Sequence, residues 1–209
     1  MPHAVVRIYA NSVPVLDVAR EHGTRIVDVM HDMPGLQVYS ISGDEASATS
    51  VTITVCDDKT GTDESIKRAA ALVKELLPDA NIAPPRVLSG EIALRLAAED
   101  VASRTGNPHL MLRLYSKALP EGLAEHAADL QQALSVIPGW RVYAAFTDET
   151  TGHGVAVMSA DDEASLDKLA EAQKAWGQAA LPEFNPEPPE VITATRMHRF
   201  DAAPEATPA

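Results

Sequence analysis

The sequence predicts an α+β fold in which one β-α-β-β-α-β unit occurs twice in a single chain. The first observation is an internal repeat, because residues 5–14, VVRIYANSVP, align with residues 111–120, MLRLYSKALP, 106 positions later. The second is periodicity, since each copy alternates β-branched runs with apolar residues at helical spacing. The third is composition: 45% hydrophobic and 22% charged residues in a chain of 209 are typical of a globular protein with a packed core.

The repeat continues towards the C-terminus after a shift of two residues. From Glu21-His22 onward the copies align at an offset of 104 residues. The matching pairs include Pro34-Gly35 with Pro138-Gly139, Tyr39 with Tyr143, Asp57-Asp58 with Asp161-Asp162, and Pro84-Pro85 with Pro188-Pro189. Rare residue types that stay in register over this length indicate a duplication.

Local patterns define the elements of the first copy. Apolar positions from Val15 to about Asp32 recur at helical spacing, and Pro34-Gly35 ends that helix. The Pro84-Pro85 pair leads into the last strand in an extended conformation. The predicted elements are strand 4–10, helix 15–32, strands 36–42 and 50–56, a second helix around 66–77, and strand 86–94. This order is the ferredoxin-like motif.

The second copy repeats that order, so we expect two domains of similar size. Its predicted elements are strand 110–116, helix 121–136, strands 140–146 and 154–159, helix 163–180, and strand 190–198. The predicted organisation is a first repeat at 1–96, a connector at 97–108 containing a short helix, a second repeat at 109–200, and a disordered tail at 201–209. The two sheets are expected to face each other as an intrachain α/β barrel.

Charge and cysteine content narrow the range of partners and compartments. Seventeen basic and thirty acidic residues give a formal charge of −13, which disfavours nucleic acid and anionic membranes as partners. No secretion signal and no membrane-spanning segment are recognisable. The single cysteine, Cys56, suits a buried strand end. These observations predict a cytoplasmic protein that forms a homo-oligomer if its repeats pair with a second chain.

The alternation of side chains along the strands predicts a set of ligand-binding residues. Val6 and Ile8 share one face of the first strand and are expected to pack against the helices, which sends Arg7 and Tyr9 to the other face. The same reasoning gives an internal cavity between the sheets lined by Arg7, Tyr9, Tyr39, Arg113, Tyr115 and Tyr143. Arginine among tyrosines suits a planar anion, although these side chains could equally fill the interior and satisfy one another. Glu91 is a candidate partner for one arginine.

Other polar residues support weaker hypotheses. His22 and His126, on the first helix of each copy, are expected beside the apolar face, either as buried core residues or as ligand contacts. Asp57-Asp58 and Asp161-Asp162 precede helices, where capping explains them. No ligand set for a metal and no phosphate-binding glycine loop is recognisable, so neither a metal nor a cofactor is predicted.

The two repeats together resemble the dimeric α+β barrel superfamily, which includes the antibiotic-biosynthesis-monooxygenase-like domains. The resemblance rests on the element order and on the Pro-Gly turn followed by Leu36 in one copy and Trp140 in the other. It implies that the usual pair of subunits is fused into one chain. Oxygenases of this superfamily often carry a Trp at the end of the third strand and a His in the second helix. Here Val55-Cys56 and Ser159-Ala160 occupy those strand ends, and neither second helix contains His.

Several functions are compatible with these features. The leading hypothesis is a barrel that binds a small aromatic or anionic molecule, with cofactor-independent monooxygenase or isomerase activity implied by the resemblance alone. The alternative is a non-enzymatic structural or stress-related barrel whose interior is filled by its own side chains. The third hypothesis, haem binding or degradation, also comes from the resemblance.

Overall fold

The β-α-β-β-α-β order occurs twice in the computed structural model, which describes residues 1–184 and 187–201. The first occurrence consists of β1 (His3–Tyr9), α1 (Val13–Met30), β2 (Leu36–Asp44), β3 (Thr49–Cys56), α2 (Lys59–Leu76) and β4 (Arg86–Ala97). The second consists of β5 (His109–Leu114), α3 (Ala127–Ser135), β6 (Trp140–Thr147), β7 (Gly154–Ala160), α4 (Glu163–Ala180) and β8 (Glu190–Asp201). Apart from Asp201, the predicted tail 201–209 lies outside the described residues.

The eight strands form a closed barrel in the order β1-β3-β2-β8-β5-β7-β6-β4. Within each repeat the third strand, β3 or β7, pairs antiparallel with the first and second strands. Arg7 of β1 therefore lies opposite Thr52 of β3, and Arg113 of β5 lies opposite Ala156 of β7. The predicted α+β class, with two ferredoxin-like repeats contributing to one barrel, is therefore confirmed.

Contacts divide the chain into two compact units. The first contains residues 1–87 and the described chain from Met197 onward, and the second contains residues 88–196. Most of β4 therefore belongs to the second unit, where its residues from Ile92 to Ala97 pair with β6. The end of β8 belongs to the first unit, where Met197 and Phe200 pack against the apolar core.

Helix starts follow local chemistry in both repeats. Asp58 accepts a hydrogen bond from the backbone N–H of Gly61 at the start of α2, and Asp162 accepts one from Ser165 at the start of α4. The predicted capping role of these aspartates is thus confirmed. Both helices have 18 residues and begin 104 positions apart, which keeps the two repeats in register.

Two predicted helices are shorter than the sequence suggested. The helix predicted at 121–136 begins as a 3₁₀ turn, Leu123–His126, after Gly122 adopts a left-handed conformation with φ +75°, and only then becomes α3. The connector contains only the 3₁₀ turn Val101–Ser103, and β4 continues to Ala97. Among the described residues, no helix is both long enough and apolar enough to cross a bilayer.

Candidate functional site

Arg7 extends from β1 towards the helices of its own repeat. Its Nη1 atom donates to Thr52 Oγ1 at 3.2 Å and to Thr54 Oγ1 at 3.3 Å, and its Nη2 atom donates to Ser65 Oγ of α2. Arg113 likewise donates to α4 of the second repeat. The prediction that both arginines point into a space between the sheets is therefore wrong.

The orientation of Arg7 was predicted wrongly because β1 is buried on both of its faces. Every residue of β1 is buried, so the more apolar face need not be the face that the helices cover. Thr52 lies directly opposite Arg7 and shares its face, which supplies the hydroxyls that the guanidinium requires. Val6 and Ile8 consequently lie on the face away from the helices.

The tyrosines of the second strands also lie on the helix side. A β-bulge between Leu36 and Val38 shifts the alternation of β2, so that Leu36 and Tyr39 both join the core with α1 and α2. The same bulge occurs in β6, where Trp140 and Tyr143 share one core. Unbroken alternation predicts Tyr39 and Tyr143 on the face away from the helices, and that prediction is wrong because of the bulges.

A cavity of about 340 Å³ lies on the helix side of the first repeat. Its polar lining is Arg7 and Tyr9 from β1. The remaining lining is apolar and comes from α2, from the segment that leads into β4 and from the start of β4 itself: Ile66, Ala69, Ala70, Val73, Ile82, Ala83, Pro84, Pro85 and Val87. A second cavity of about 50 Å³ shares Tyr9, Ala69 and Val73 with the first and extends to Tyr39 and Met30. All these residues belong to the first unit.

Arg7 is an unusual group in this setting because no carboxylate of the described residues pairs with its charge. The side chain is 1% exposed, and its described partners are three neutral hydroxyls. Its Nε atom has no hydrogen-bond partner among the described residues. Glu91, the predicted partner, is exposed, so that prediction is wrong. Burial lowers the pKa of Arg7, and the nearby Tyr39 and Tyr9 phenols oppose this shift.

The phenols around Arg7 remain protonated at neutral pH. Burial raises the pKa of Tyr39 to about 12, although the Arg7 cation acts in the opposite direction. Burial also raises the pKa of Tyr9. These groups can donate hydrogen bonds to a ligand, but they are poor proton acceptors near neutral pH. The first repeat therefore presents one cation and two phenols beside an apolar cavity.

The equivalent space in the second repeat is occupied by side chains of the chain itself. Gln173 Oε1 accepts hydrogen bonds from Arg113 Nη1 at 2.5 Å and from the Tyr115 hydroxyl at 3.3 Å. The ring of Phe184 packs edge-on against Tyr115 at 5.8 Å. Burial raises the pKa of Tyr115 and of Tyr143. The six predicted arginines and tyrosines thus form two separate groups, each under its own helices, and not a single cavity.

Neither of the predicted histidines lines a cavity of the first repeat. His22 is exposed on α1, so its expected burial is wrong. His126 is half-buried and stacks edge-on against Trp176, with ring centroids 6.2 Å apart. Cys56 is buried as expected, and its pKa is raised to about 11 by burial and by the neighbouring Asp57 and Asp58. Within residues 1–184 and 187–201, no cluster of three His, Cys, Asp or Glu side chains could hold a metal ion.

Sequence reasoning missed Ser65, Thr52 and Thr54 as partners of Arg7, and Gln173 as the partner of Arg113. A signal for them exists in the repeat alignment. Arg7 and Arg113 are equivalent, whereas Ser65 corresponds to Leu169 and Ala69 corresponds to Gln173. Residues that differ between the repeats around the same arginine therefore indicate that each repeat provides different hydrogen-bond partners for its buried guanidinium.

Among known proteins, the chain is similar to solved structures in its fold. No protein-family profile matches the chain, and no curated protein sequence matches it. A protein provisionally named a monooxygenase, from Fusobacterium nucleatum, superposes with a TM-score of 0.69 at 12% identity, covering 96% of this chain and 94% of that one. An anthrone oxidase-like protein superposes with a TM-score of 0.63 at 14% identity, covering 100% of this chain and 96% of that one.

A mutant chlorite dismutase from Candidatus Nitrospira defluvii superposes with a TM-score of 0.54 at 9% identity, covering 93% of this chain and 90% of that one. These three matches span 90% or more of each chain. The chain has the dimeric α+β barrel fold. The resemblance inferred from the element order and the Pro-Gly turns is therefore confirmed at the level of the fold.

Proposed function

We propose that the first repeat binds a small aromatic anion in its helix-side cavity, with the anionic group against Arg7. The observation that carries the proposal is a guanidinium that is 1% exposed, lines a cavity and has no carboxylate partner within residues 1–184 and 187–201. An unpaired buried charge loses several kcal/mol of hydration. A bound anion would restore that loss, and the unpartnered Nε–H supplies a donor for it.

The size and lining of the cavity support an aromatic ligand. A volume of about 340 Å³ lies at the lower end of the roughly 300–1,000 Å³ of small-molecule sites. Most of the wall is aliphatic, from α2 and from Ile82, Pro84 and Pro85. Apolar walls around a few polar groups are typical of sites that bind a flat, largely apolar molecule with one anionic end.

The test is calorimetric titration with 1-naphthoate, using neutral 1-naphthamide as the control ligand. We expect Arg7→Met to weaken naphthoate binding about 10- to 100-fold, because a charge-assisted hydrogen bond contributes about 1.5–3 kcal/mol. The matched variant Arg113→Met should bind as the unmodified protein does, since Arg113 already has an internal partner. Equal affinity for naphthoate and naphthamide, or equal losses in both variants, would refute the proposal.

A second candidate function is cofactor-independent oxygenation at this same site. It is favoured by the anthrone oxidase-like and monooxygenase names of the structural neighbours, combined with a buried cation that would stabilise a deprotonated substrate. For an anthrone, the ring CH₂ loses two hydrogens and gains one oxygen atom from O₂, and the other oxygen atom leaves as water. The products are an anthraquinone and water.

The lining supplies no general base for such a reaction. None of the described lining residues is Asp, Glu or His, and the phenol of Tyr39 has a raised pKa. Hydroxide from solvent would then remove the proton, so the rate should rise with pH. Oxygen consumption with anthrone measures this, and a rate that is equal in Arg7→Met and Arg113→Met would exclude the site.

The haem hypothesis finds little support in the site. Neither α2 nor α4 contains His, and no His lines the cavities of the first repeat among the described residues. The residues present do not provide the expected axial ligand. An absorbance scan after addition of haemin tests this directly, and we expect no shifted Soret band. The structural-barrel alternative would be favoured if no ligand bound and both arginine variants were equally destabilised.

A further inference from the structure

The second repeat contains an internal acceptor at the position where the first repeat has a cavity. Gln173 Oε1 lies between Arg113 and Tyr115 and accepts a hydrogen bond from each. Gln173 is 9% exposed, so this carbonyl oxygen is held away from water. The group is a planar sp² oxygen bound by one guanidinium and one phenol.

The corresponding position of the first repeat is Ala69. The helices α2 and α4 begin at equivalent caps 104 residues apart, and Arg7 and Arg113 lie opposite equivalent residues of the neighbouring strands. Ala69 lines both cavities of the first repeat, together with Tyr9. Truncation of the side chain at this position therefore coincides with open space beside the same arginine and tyrosine pair.

The second repeat also has aromatic residues near this position where the first repeat has smaller aliphatic ones. Phe184, whose ring packs edge-on against Tyr115 at 5.8 Å, corresponds to Ala80 in the first repeat. Trp176 of α4 corresponds to Leu72 of α2. The second repeat thus carries both an acceptor oxygen and an adjacent aromatic ring, and the first repeat carries neither.

We propose that the ligand of the first repeat supplies what Gln173 and Phe184 supply in the second. Its planar oxygen would accept hydrogen bonds from Arg7 and from the Tyr9 hydroxyl, and its ring would lie beside Tyr9. This inference rests on the proposed function and narrows the ligand class to aryl carboxylates, in which ring and carboxylate are directly joined. Ala69 is then the residue that keeps the site open.

The first test places the acceptor of the second repeat into the first. Ala69→Gln should reduce 1-naphthoate affinity at least 10-fold, because the new side-chain carbonyl competes for Arg7 and Tyr9. Ala71→Gln is the matched control, since Ala71 is exposed on the same helix and lines neither cavity. We expect this control to bind naphthoate as the unmodified protein does.

The reciprocal variant tests the same idea from the other repeat. Gln173→Ala should open an equivalent site beside Arg113, so the stoichiometry of naphthoate binding should rise from one to two per chain. Arg113→Met added to this variant should return the stoichiometry to one. Far-UV circular dichroism checks that each variant is folded, and naphthoate should raise the melting temperature of Gln173→Ala if that variant is destabilised.

The outcomes separate this inference from the proposed function. If Arg7→Met leaves naphthoate binding unchanged, the proposed function fails. If Arg7→Met abolishes binding but Ala69→Gln does not weaken it, only the inference about Gln173 fails. A folded Gln173→Ala protein that binds one naphthoate and gains no thermal stability from it would also contradict the inference.

Discussion

The two repeats of this barrel share their elements and their strand register but differ in how they accommodate a buried arginine. In the first, Arg7 donates to three hydroxyls and lines a cavity. In the second, the positions equivalent to Thr52, Thr54 and Ser65 are apolar, and Arg113 donates instead to Gln173 and to a backbone carbonyl. A buried guanidinium can thus be hydrogen-bonded by small hydroxyl side chains, which leave a cavity beside it, or by a larger amide side chain, which occupies that space.

The apolar clusters of the two repeats also differ in side-chain size. The second repeat gathers Trp140, Tyr143 and Trp176 into one apolar cluster. The first repeat has Leu36, Tyr39 and Leu72 at the corresponding places. Smaller side chains on the same backbone leave unfilled volume, and unfilled volume lowers stability but admits a ligand.

The largest expected effect compares the two helix cores. Trp176→Ala should lower the free energy of unfolding by about 3–5 kcal/mol, and Leu72→Ala by about 2 kcal/mol. Leu72 borders an existing cavity, so its truncation removes fewer packing contacts. Urea unfolding measures both variants. A loss for Leu72→Ala as large as that for Trp176→Ala would break the distinction between an open and a filled repeat.

The stability of the protein at alkaline pH tests whether the tyrosines of the two repeats are buried alike. Tyr39 has a pKa of about 12 in the folded chain, against about 10 when unfolded. The unfolded state loses this proton first, so the stabilisation present below pH 10 disappears as pH rises towards 12, by up to about 2–3 kcal/mol. We expect Tyr39→Phe to show a shallower decline of urea midpoint between pH 9 and 11.

Tyr143→Phe is the matched variant, because burial raises the pKa of Tyr143 in the same direction. Both variants should therefore flatten the alkaline decline. Spectrophotometric titration of the phenols provides an independent readout. Tyrosines that all ionise near pH 10 in the folded protein would show that the described burial is absent in solution.

The helix caps should affect both repeats alike. Asp58→Ala and Asp162→Ala each remove one cap, and each should cost about 1 kcal/mol. Equal losses would show that the repeats differ in their interiors and not in their helix starts. Chemical denaturation at pH 7 measures them, and a difference above about 1 kcal/mol between the two would contradict this expectation.

The smallest expected effect concerns the polar contacts at the two bulges. Asp161 accepts hydrogen bonds from Arg141 and Arg104, whereas Asp57 accepts one from the neutral Gln37. Asp161→Asn should cost about 0.5–1 kcal/mol at low salt and less in 1 M NaCl, because partly exposed ion pairs are weak and screened. Asp57→Asn should show no such salt dependence. A salt-independent loss in Asp161→Asn would indicate that packing dominates there.

Much of the architecture is readable in the sequence because it depends on local or periodic information. Helical spacing, the Pro-Gly turns and the aspartates before α2 and α4 predict element order and most helix starts to within a few residues. The exceptions are α2, which begins at Lys59 and therefore earlier than predicted, and the broken helix before α3. The 106-residue offset of the first strands also aligns Arg7 with Arg113, which lie opposite equivalent residues of β3 and β7. Each of these features is determined by residues close together in the chain or by a repeat that is visible by eye.

The placement of the site required the tertiary structure. Alternation along β1 predicts that Arg7 and Val6 lie on opposite faces of the strand. It does not predict which face the helices cover, because both faces are buried. A one-residue bulge in β2 then reverses the side on which Tyr39 lies. Whether a buried arginine faces a cavity or an amide depends on the volume of one side chain 62 residues away in the first repeat, Ala69, or 60 away in the second, Gln173. Packing between distant segments decides such volumes, and no local pattern records them.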